Sequence, residues 1–283
     1  MIGKVRKWVR SSLQSRAAAE LSDLYVRESN YVKCHLCGNL ENTKFELISS
    51  VERYNIRMPT YRCCECNLVA FRPFPNYTFL EKFYSVYYQK FHRRAAKPNK
   101  RVLDRETQRA SRLIDMLSSL NVNPRRVMDV GCSAGNILFA LHKEFPEILV
   151  SGIEPDSSYA EFARERLPGS TIYTAMLEDA KIDETYDLVL FMHVLEHIGD
   201  VRNALAITKS ILDPGGLLYV ETPNFKKALE NGRRYSDFLL ISKLYSFTPN
   251  TLERLLEDCG FEVIALSEQH KNHFQLVAKV KGK

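Results

Sequence analysis

The chain has 283 residues, 45% of them hydrophobic, and 40 Lys/Arg against 34 Asp/Glu for a net charge of +6. That length holds one large domain plus a small one, and no apolar run reaches the ~18 residues of a membrane span. The excess base is local: Lys4, Arg6, Lys7, Arg10 and Arg16 precede the first acid, Glu20, and Lys90 to Arg112 holds nine Lys/Arg against Asp104 and Glu106. The remainder is mildly acidic, which argues against a broad nucleic-acid surface. The N-terminus lacks the uninterrupted apolar stretch of a secretory signal. Four of seven cysteines fall in two C-x-x-C pairs, which suits a reducing compartment, so a cytoplasmic location is expected.

In chain order, Ile2, Val5, Val9 and Leu13 recur at helical spacing with basic residues around them, predicting an amphipathic basic helix within residues 1–30. Residues 1–16 could lie on an anionic membrane surface, dock on the protein or stay solvated. Residues 31–75 carry Cys34-His35-Leu36-Cys37-Gly38 and Cys63-Cys64-Glu65-Cys66-Asn67. Two such knuckles at this separation have zinc-ribbon spacing, with Cys34, Cys37, Cys63 and Cys66 as ligands of a structural Zn²⁺. Gly38 and Asn67 suit the left-handed position after each knuckle, and residues 43–51 and 55–61 are expected to supply short strands between them. Residues 76–120 hold the tyrosine-rich stretch Phe79 to Tyr88, a basic linker and a helix with Leu113, Met116, Leu117 and Leu120 on one face.

From 121 to 283 strands and helices alternate, implying a parallel sheet covered on both faces. Strands are expected at 127–130, 148–153, 171–174, 187–191, 217–222, 261–266 and 274–280, the last two as an antiparallel hairpin. Helices are expected at 135–145, 157–167, 201–212 and 249–259. Thr248, Pro249 and Gly260 punctuate the last helix, and Asp213-Pro214-Gly215-Gly216 is expected to end the one before it.

The most informative run is Val127-Met128-Asp129-Val130-Gly131-Cys132-Ser133-Ala134-Gly135, a strand entering a turn whose glycines admit a ligand close to the backbone. Glu154, at the end of the next apolar run, can accept both hydroxyls of a ribose. A dinucleotide fingerprint needs glycine at 131, 133 and 136 so that a pyrophosphate can sit on the helix N-terminus. Ser133 and Asn136 stand there instead, so the cofactor expected is a nucleoside without a pyrophosphate.

These nine residues resemble motif I of the class I S-adenosylmethionine (SAM) dependent methyltransferases, with Ser133 where the family usually has glycine. The likeness continues in family order through Asp187 to His197, Leu212 to Leu218 and Glu221-Thr222-Pro223-Asn224. It implies an α/β, Rossmann-like seven-stranded sheet, mostly parallel, with a small N-terminal zinc-ribbon module. It also implies SAM contacts from Asp129, Gly131, Ser133, Gly135, Glu154, Pro155, Met176, Leu177, Glu178 and His193. The four-cysteine module and its aromatic extension resemble the front of methyltransferases that modify sugars and assemble polysaccharides. The acceptor this implies is a sugar, a glycan or a similar hydroxylated metabolite.

Methyl transfer from a sulfonium needs an aligned nucleophile and a proton acceptor. In His193-Val194-Leu195-Glu196-His197 the candidate base is His197, with His193 and Glu196 as further catalytic candidates or as a wall and brace of the turn. RNA 2'-O-methyltransferases carry an E-x-x-E-H metal set here, but this chain has His193 in place of the first acid. Arg233 and Arg234, in a long stretch after the fifth strand, could pair with an anionic group of the substrate. Two other readings stay open: a zinc-ribbon scaffold that binds SAM without turnover, and RNA 2'-O-methylation. The oligomeric state is not legible.

Overall fold

The computed structural model describes residues 16–283 apart from 53, 55, 89–97, 99, 233, 234, 271 and 283, and apart from the side chains of 236 and 237. The expected amphipathic helix at the N-terminus, most of the basic linker, and Arg233 and Arg234 lie outside the described residues. The chain divides into two compact units. One comprises Met1–Arg94, Glu196–Gly199 and Pro223–Leu252; the other comprises Ala95–Leu195, Asp200–Thr222 and Glu253–Lys283.

The second unit is built around a seven-stranded sheet. In chain order its elements are α1 (Lys100–Ser119), β1 (Arg126–Val130), α2 (Asn136–Glu144), β2 (Leu149–Ile153), α3 (Ser157–Arg166), β3 (Thr171–Tyr173) and β4 (Tyr186–Met192). There follow α4 (Val201–Ile211), β5 (Leu212–Pro223), α5 (Pro249–Asp258), β6 (Phe261–Ser267) and β7 (His273–Val280). The strand order is β6-β7-β5-β4-β1-β2-β3. Strands β5, β4, β1, β2 and β3 pair in parallel, and β6 and β7 form the antiparallel hairpin expected from their adjacency.

The central strands are continuous apolar runs because both faces are covered. Val127, Leu188, Leu190 and Tyr219 are fully buried in one core with Leu113 and Leu117 of α1 and Leu138 and Leu141 of α2. Two charged residues interrupt these runs, Asp129 in β1 and Glu221 in β5, and both are 0% exposed. At the opposite end of β4, Asp187 accepts the backbone N–H groups of Arg125 and Arg126 at 2.7 and 3.1 Å, which pins the entry of β1.

The signals of the last helix act as expected: the N–H of Thr251 donates to Thr248 Oγ1 at the start of α5. The structure adds two caps of the same kind, Asp156 on α3 and Asp200 on α4. Gly260, at φ +87°, ends α5. Asp213 to Gly216 follow the end of α4 at Ile211, and they already lie within β5, whose register slips between Leu212 and Leu217. Gly216 fits this bulge because a Cβ there would sit 3.0 Å from the carbonyl oxygen of Tyr186.

The first unit holds an antiparallel sheet in the order Tyr245–Ser246, Val69–Phe71, Thr60–Cys63, Phe45–Ser49. The strand expected at 55–61 is shifted to Thr60–Cys63. Glu52 explains the shift: its buried carboxylate takes the backbone N–H groups of Tyr54 and Ile56 on Oε1 and that of Ile241 on Oε2, which holds the preceding chain as a loop. In the aromatic stretch Phe79 and Phe83 are fully buried and stack on each other, with Tyr25 set edge-on to Phe79. Among the described residues no helix is long and apolar enough to cross a membrane.

Candidate active site

The turn between β1 and α2 alternates through three left-handed residues, Gly131 at φ +74°, Ser133 at +53° and Gly135 at +69°. Ser133 holds the conformation that makes glycine usual at this position in the resembling family. The N–H groups of Gly131 and Cys132 both donate to Ile153 O, at 2.7 and 2.9 Å, so the turn is tied to the end of β2. Gly131 is needed on space as well as on φ, since a Cβ would meet Val194 Cγ2 at 2.5 Å.

Glu154 follows β2, is 4% exposed, and accepts the backbone N–H groups of Ser133 and Asp156 at 2.9 Å each. Its carboxylate is thereby oriented beside the turn. A carboxylate oxygen has two lone pairs, so an acid held in this way is of the type that can accept a hydroxyl as well. Asn136, at the position a pyrophosphate would require to be glycine, is buried and donates to Leu103 O and Thr107 Oγ1 of α1. Helix α1 thus covers the N-terminus of α2, which supports a cofactor without a pyrophosphate.

Asp129 is enclosed, and neither of its carboxylate oxygens has a hydrogen-bond partner among the described residues. Burial, followed by the charges of Glu106 and Glu154, pushes it well above the usual carboxylate range. Arg109 offsets this only in part, and a buried acid close to two others is a place where further positive charge would be stabilising. SAM carries a sulfonium and an ammonium, and the residues present fit it in kind: a buried acid at Asp129, a close turn at Gly131 to Gly135, and at Glu154 an acid of the type that could accept ribose hydroxyls. Pro155 is exposed directly after Glu154. Met176, Leu177 and Glu178 form the tight turn after β3, in which Leu177 is buried and Met176 O accepts from Asp179 and Ala180.

A second group in the same unit was only half legible in the sequence. His193 leaves the end of β4 at φ +61°, its N–H donates to Glu221 O at 2.7 Å, and its Nε2 lies 3.0 Å from Glu221 Oε1. Arg112 grips both oxygens of Glu221, at 2.6 and 3.0 Å, and Gln275 donates to Oε2 at 3.0 Å. Burial alone would raise Glu221, but the hydrogen bonds from His193, Arg112 and Gln275 outweigh it and hold the carboxyl well below its usual range. His273 sets its ring edge-on to His193, with centroids 4.5 Å apart, and stacks flat on His270. Burial and the neighbouring His193 push His273 down to about 3, so it is neutral at physiological pH. Charged Glu221 inside the apolar run of β5 was the available signal. Nothing local linked it to Arg112 or His273.

The other expected residues lie in the first unit. Cys34, Cys37, Cys63 and Cys66 bring their sulfurs within 4.8 Å of one another, and the Cys34–Cys66 and Cys37–Cys63 pairs are at 3.5 Å. A tetrahedral thiolate zinc site has edges of about 3.8 Å, so this set could hold the ion. Both knuckles close with the predicted left-handed residues, Gly38 at +77° and Asn67 at +62°, through hydrogen bonds to Cys34 O and Cys63 O. His35 hydrogen-bonds Tyr245 through Nδ1, and the Tyr245 hydroxyl donates to Gly199 O at 2.9 Å. In the same segment His197 Nδ1 bonds Ser242 O, its Nε2 lies 3.9 Å from Glu196 Oε1, and Leu244 N–H donates to Glu196 O. His197 and Glu196 therefore belong with the cysteine sheet, and His193 with the glycine turn.

A parallel sheet in this order, with a glycine turn after its first strand and a ribose-type acid after its second, defines a Rossmann-like nucleoside-cofactor protein. The family described as "Methyltransferase domain" matches residues 88–266, and the chain belongs to it. Among curated relatives, a trans-aconitate 2-methyltransferase of Rhodopseudomonas palustris (strain BisB18) is 29% identical over 120 residues, covering 42% of this chain and 47% of that enzyme. One from Yersinia pestis (strain Pestoides F) is 27% identical over 120 residues, covering 42% and 46%. The chain thus spans about half the length of the curated relatives it matches. Among solved structures, the plantazolicin methyltransferase BpumL aligns with a TM-score of 0.56 at 12% identity, covering 72% of this chain and 95% of that one. A SAM-dependent methyltransferase of Clostridium acetobutylicum aligns at 0.51 and 13%, covering 71% and 99%. At these identities the likeness is one of fold.

Proposed function

We propose that the chain is a SAM-dependent O-methyltransferase acting on a hydroxyl of a sugar, glycan or similar metabolite, with a structural zinc ribbon formed by Cys34, Cys37, Cys63 and Cys66. The observation that carries the cofactor reading is the pairing of Glu154 with the Ser133 N–H beside the unsatisfied Asp129. Bound SAM supplies an activated methyl group on sulfur. Around it, Gly131, Ser133 and Gly135 orient the methionine part and Glu154 the ribose, while Met176, Leu177 and Glu178 flank the base.

The hydroxyl reading draws support from the histidines. An acceptor already ionised at neutral pH needs no base, whereas a hydroxyl must lose its proton as the methyl arrives. Both His193 and His197 have one ring nitrogen fixed by an oxygen partner, Glu221 and the Ser242 carbonyl respectively. That orients an imidazole for proton acceptance. The four-cysteine module supports a sugar or glycan substrate by its resemblance to sugar-modifying enzymes. Action in the cytoplasm, and contact of residues 1–16 with an anionic membrane, belong to the same proposal.

Calorimetry with SAM followed by a tritiated-methyl assay tests it. The panel comprises UDP-sugars, lipid-linked glycans, trans-aconitate and RNA, since relatives are named for trans-aconitate. Binding at micromolar SAM with label in a sugar is expected. No binding at millimolar SAM overturns the cofactor reading, binding without transfer favours the scaffold reading, and label in trans-aconitate or RNA moves the acceptor class.

A further inference from the structure

We infer that Glu221 is a positioning residue that orients His193 as the proton acceptor of methyl transfer, and that the acceptor group is completed by His273 rather than by a metal ion. The inference rests on the methyltransferase reading. Three strands bring the group together: His193 follows the end of β4, Glu221 lies near the end of β5, and His273 opens β7. In a sheet of this kind the carboxyl ends of the parallel strands are where ligands are bound. Val194, next to His193, packs against Gly131 of the cofactor turn. His193 is thus held to Glu221 twice, once by its backbone and once by its ring, in a left-handed conformation that an unconstrained histidine avoids.

Glu221 is itself immobilised by the Arg112 fork and by Gln275, the pattern of a base oriented by a third group that is oriented in turn. With Nε2–H donating to ionised Glu221, Nδ1 carries the lone pair of the ring. As the acceptor oxygen bonds the methyl carbon, the carbon–sulfur bond breaks with its electron pair going to sulfur, and the hydroxyl proton passes to Nδ1. The imidazolium so formed is stabilised by Glu221.

The ligand atoms of His193, Glu221 and His273 lie within 4.8 Å of one another, so a divalent ion is the rival occupant. Against it, Oε1 of Glu221 already lies 2.6 Å from the Arg112 guanidinium and 3.9 Å from Arg109. A cation bound to that oxygen would stand beside two fixed positive charges.

The experiment combines ring-nitrogen NMR of the ¹⁵N-histidine-labelled, zinc-loaded full chain with kinetics of Glu221→Gln. In the native chain His193 is expected as the Nε2–H tautomer. In Glu221→Gln that preference should be lost and kcat on the sugar panel should fall more than about 100-fold, while the SAM dissociation constant stays within about twofold. A native Nδ1–H tautomer overturns the proposal without any variant, so misfolding of Glu221→Gln cannot shield it. Turnover of Glu221→Gln within threefold of native also overturns it. So does Mn²⁺ binding to the zinc-loaded chain, followed by water-proton relaxation, that disappears in His273→Gln. If no member of the panel is methylated, the functional reading fails by itself and the native tautomer still decides the role of Glu221.

Discussion

The backbone N–H of Ser133 donates to Oε2 of Glu154 at 2.9 Å, joining the third residue of the glycine turn to the acid beyond the next strand. The other oxygen of Glu154 is held by Asp156 N–H at the same distance. The glycine turn and Glu154, the proposed ribose acceptor, are therefore one hydrogen-bonded element, and a change in either should be felt by both.

Glu154→Gln tests that coupling. An amide presents two N–H groups where the site supplies only donors, so one backbone N–H loses its acceptor in a buried place. The expected cost is about 1–3 kcal/mol of stability even without cofactor, read from urea unfolding, together with roughly tenfold weaker SAM binding.

Ser133→Gly should go the other way. A left-handed conformation costs an L residue roughly 1–2 kcal/mol, and the extra freedom of glycine in the unfolded chain returns about 0.4–1 kcal/mol of that. A net stabilisation of between about 0 and about 1.6 kcal/mol is expected, with SAM affinity retained. Gly131→Ala, whose Cβ would stand 2.5 Å from Val194 Cγ2, should lose both stability and binding. The two variants are compared by thermal unfolding and calorimetry.

Asp129 supplies a pH signature. Its pKa is raised in the folded chain, so its contribution is fully present below the unfolded value of about 3.9 and is lost as pH rises from there through the folded value. Asp129→Asn should make the cofactor-free protein more stable at pH 7 and flatten this part of its pH dependence, while weakening SAM binding. A variant less stable than native at pH 7 would count against an uncompensated buried carboxyl.

The cysteine cluster is linked to the segment carrying His197. Metal analysis should find one zinc per chain. Its removal by a chelator should expose to hydrogen exchange the amides of Thr60–Cys63, Val69–Phe71, Tyr245–Ser246 and Glu196–Gly199. The chain of contact runs from the knuckle through His35 to Tyr245 and Gly199. Tyr245→Phe, which removes the bonds of a buried hydroxyl to His35 and Gly199, should cost about 1–3 kcal/mol and loosen Glu196–Gly199 without metal loss. Unchanged protection in that loop would break the link.

The amino-acid sequence by itself determined the α/β class, the seven strands, the cap of the last helix, the left-handed closures at Gly38 and Asn67, and the turn from Gly131 to Gly135. All of these are local: an apolar period, a capping side chain or a residue tolerant of positive φ acts within a few positions of where it is read. Only the tertiary structure decided which distant residues share a site. It placed the stretch carrying Tyr245 in the cysteine sheet, set Asn136 under helix α1, and assembled Arg112, His193, Glu221, His273 and Gln275 from four separate elements. The physical reason is that burying Glu221 requires partners wherever the sheet order brings them, and strand order across β4, β5 and β7 is a long-range outcome of packing that no single stretch of sequence encodes.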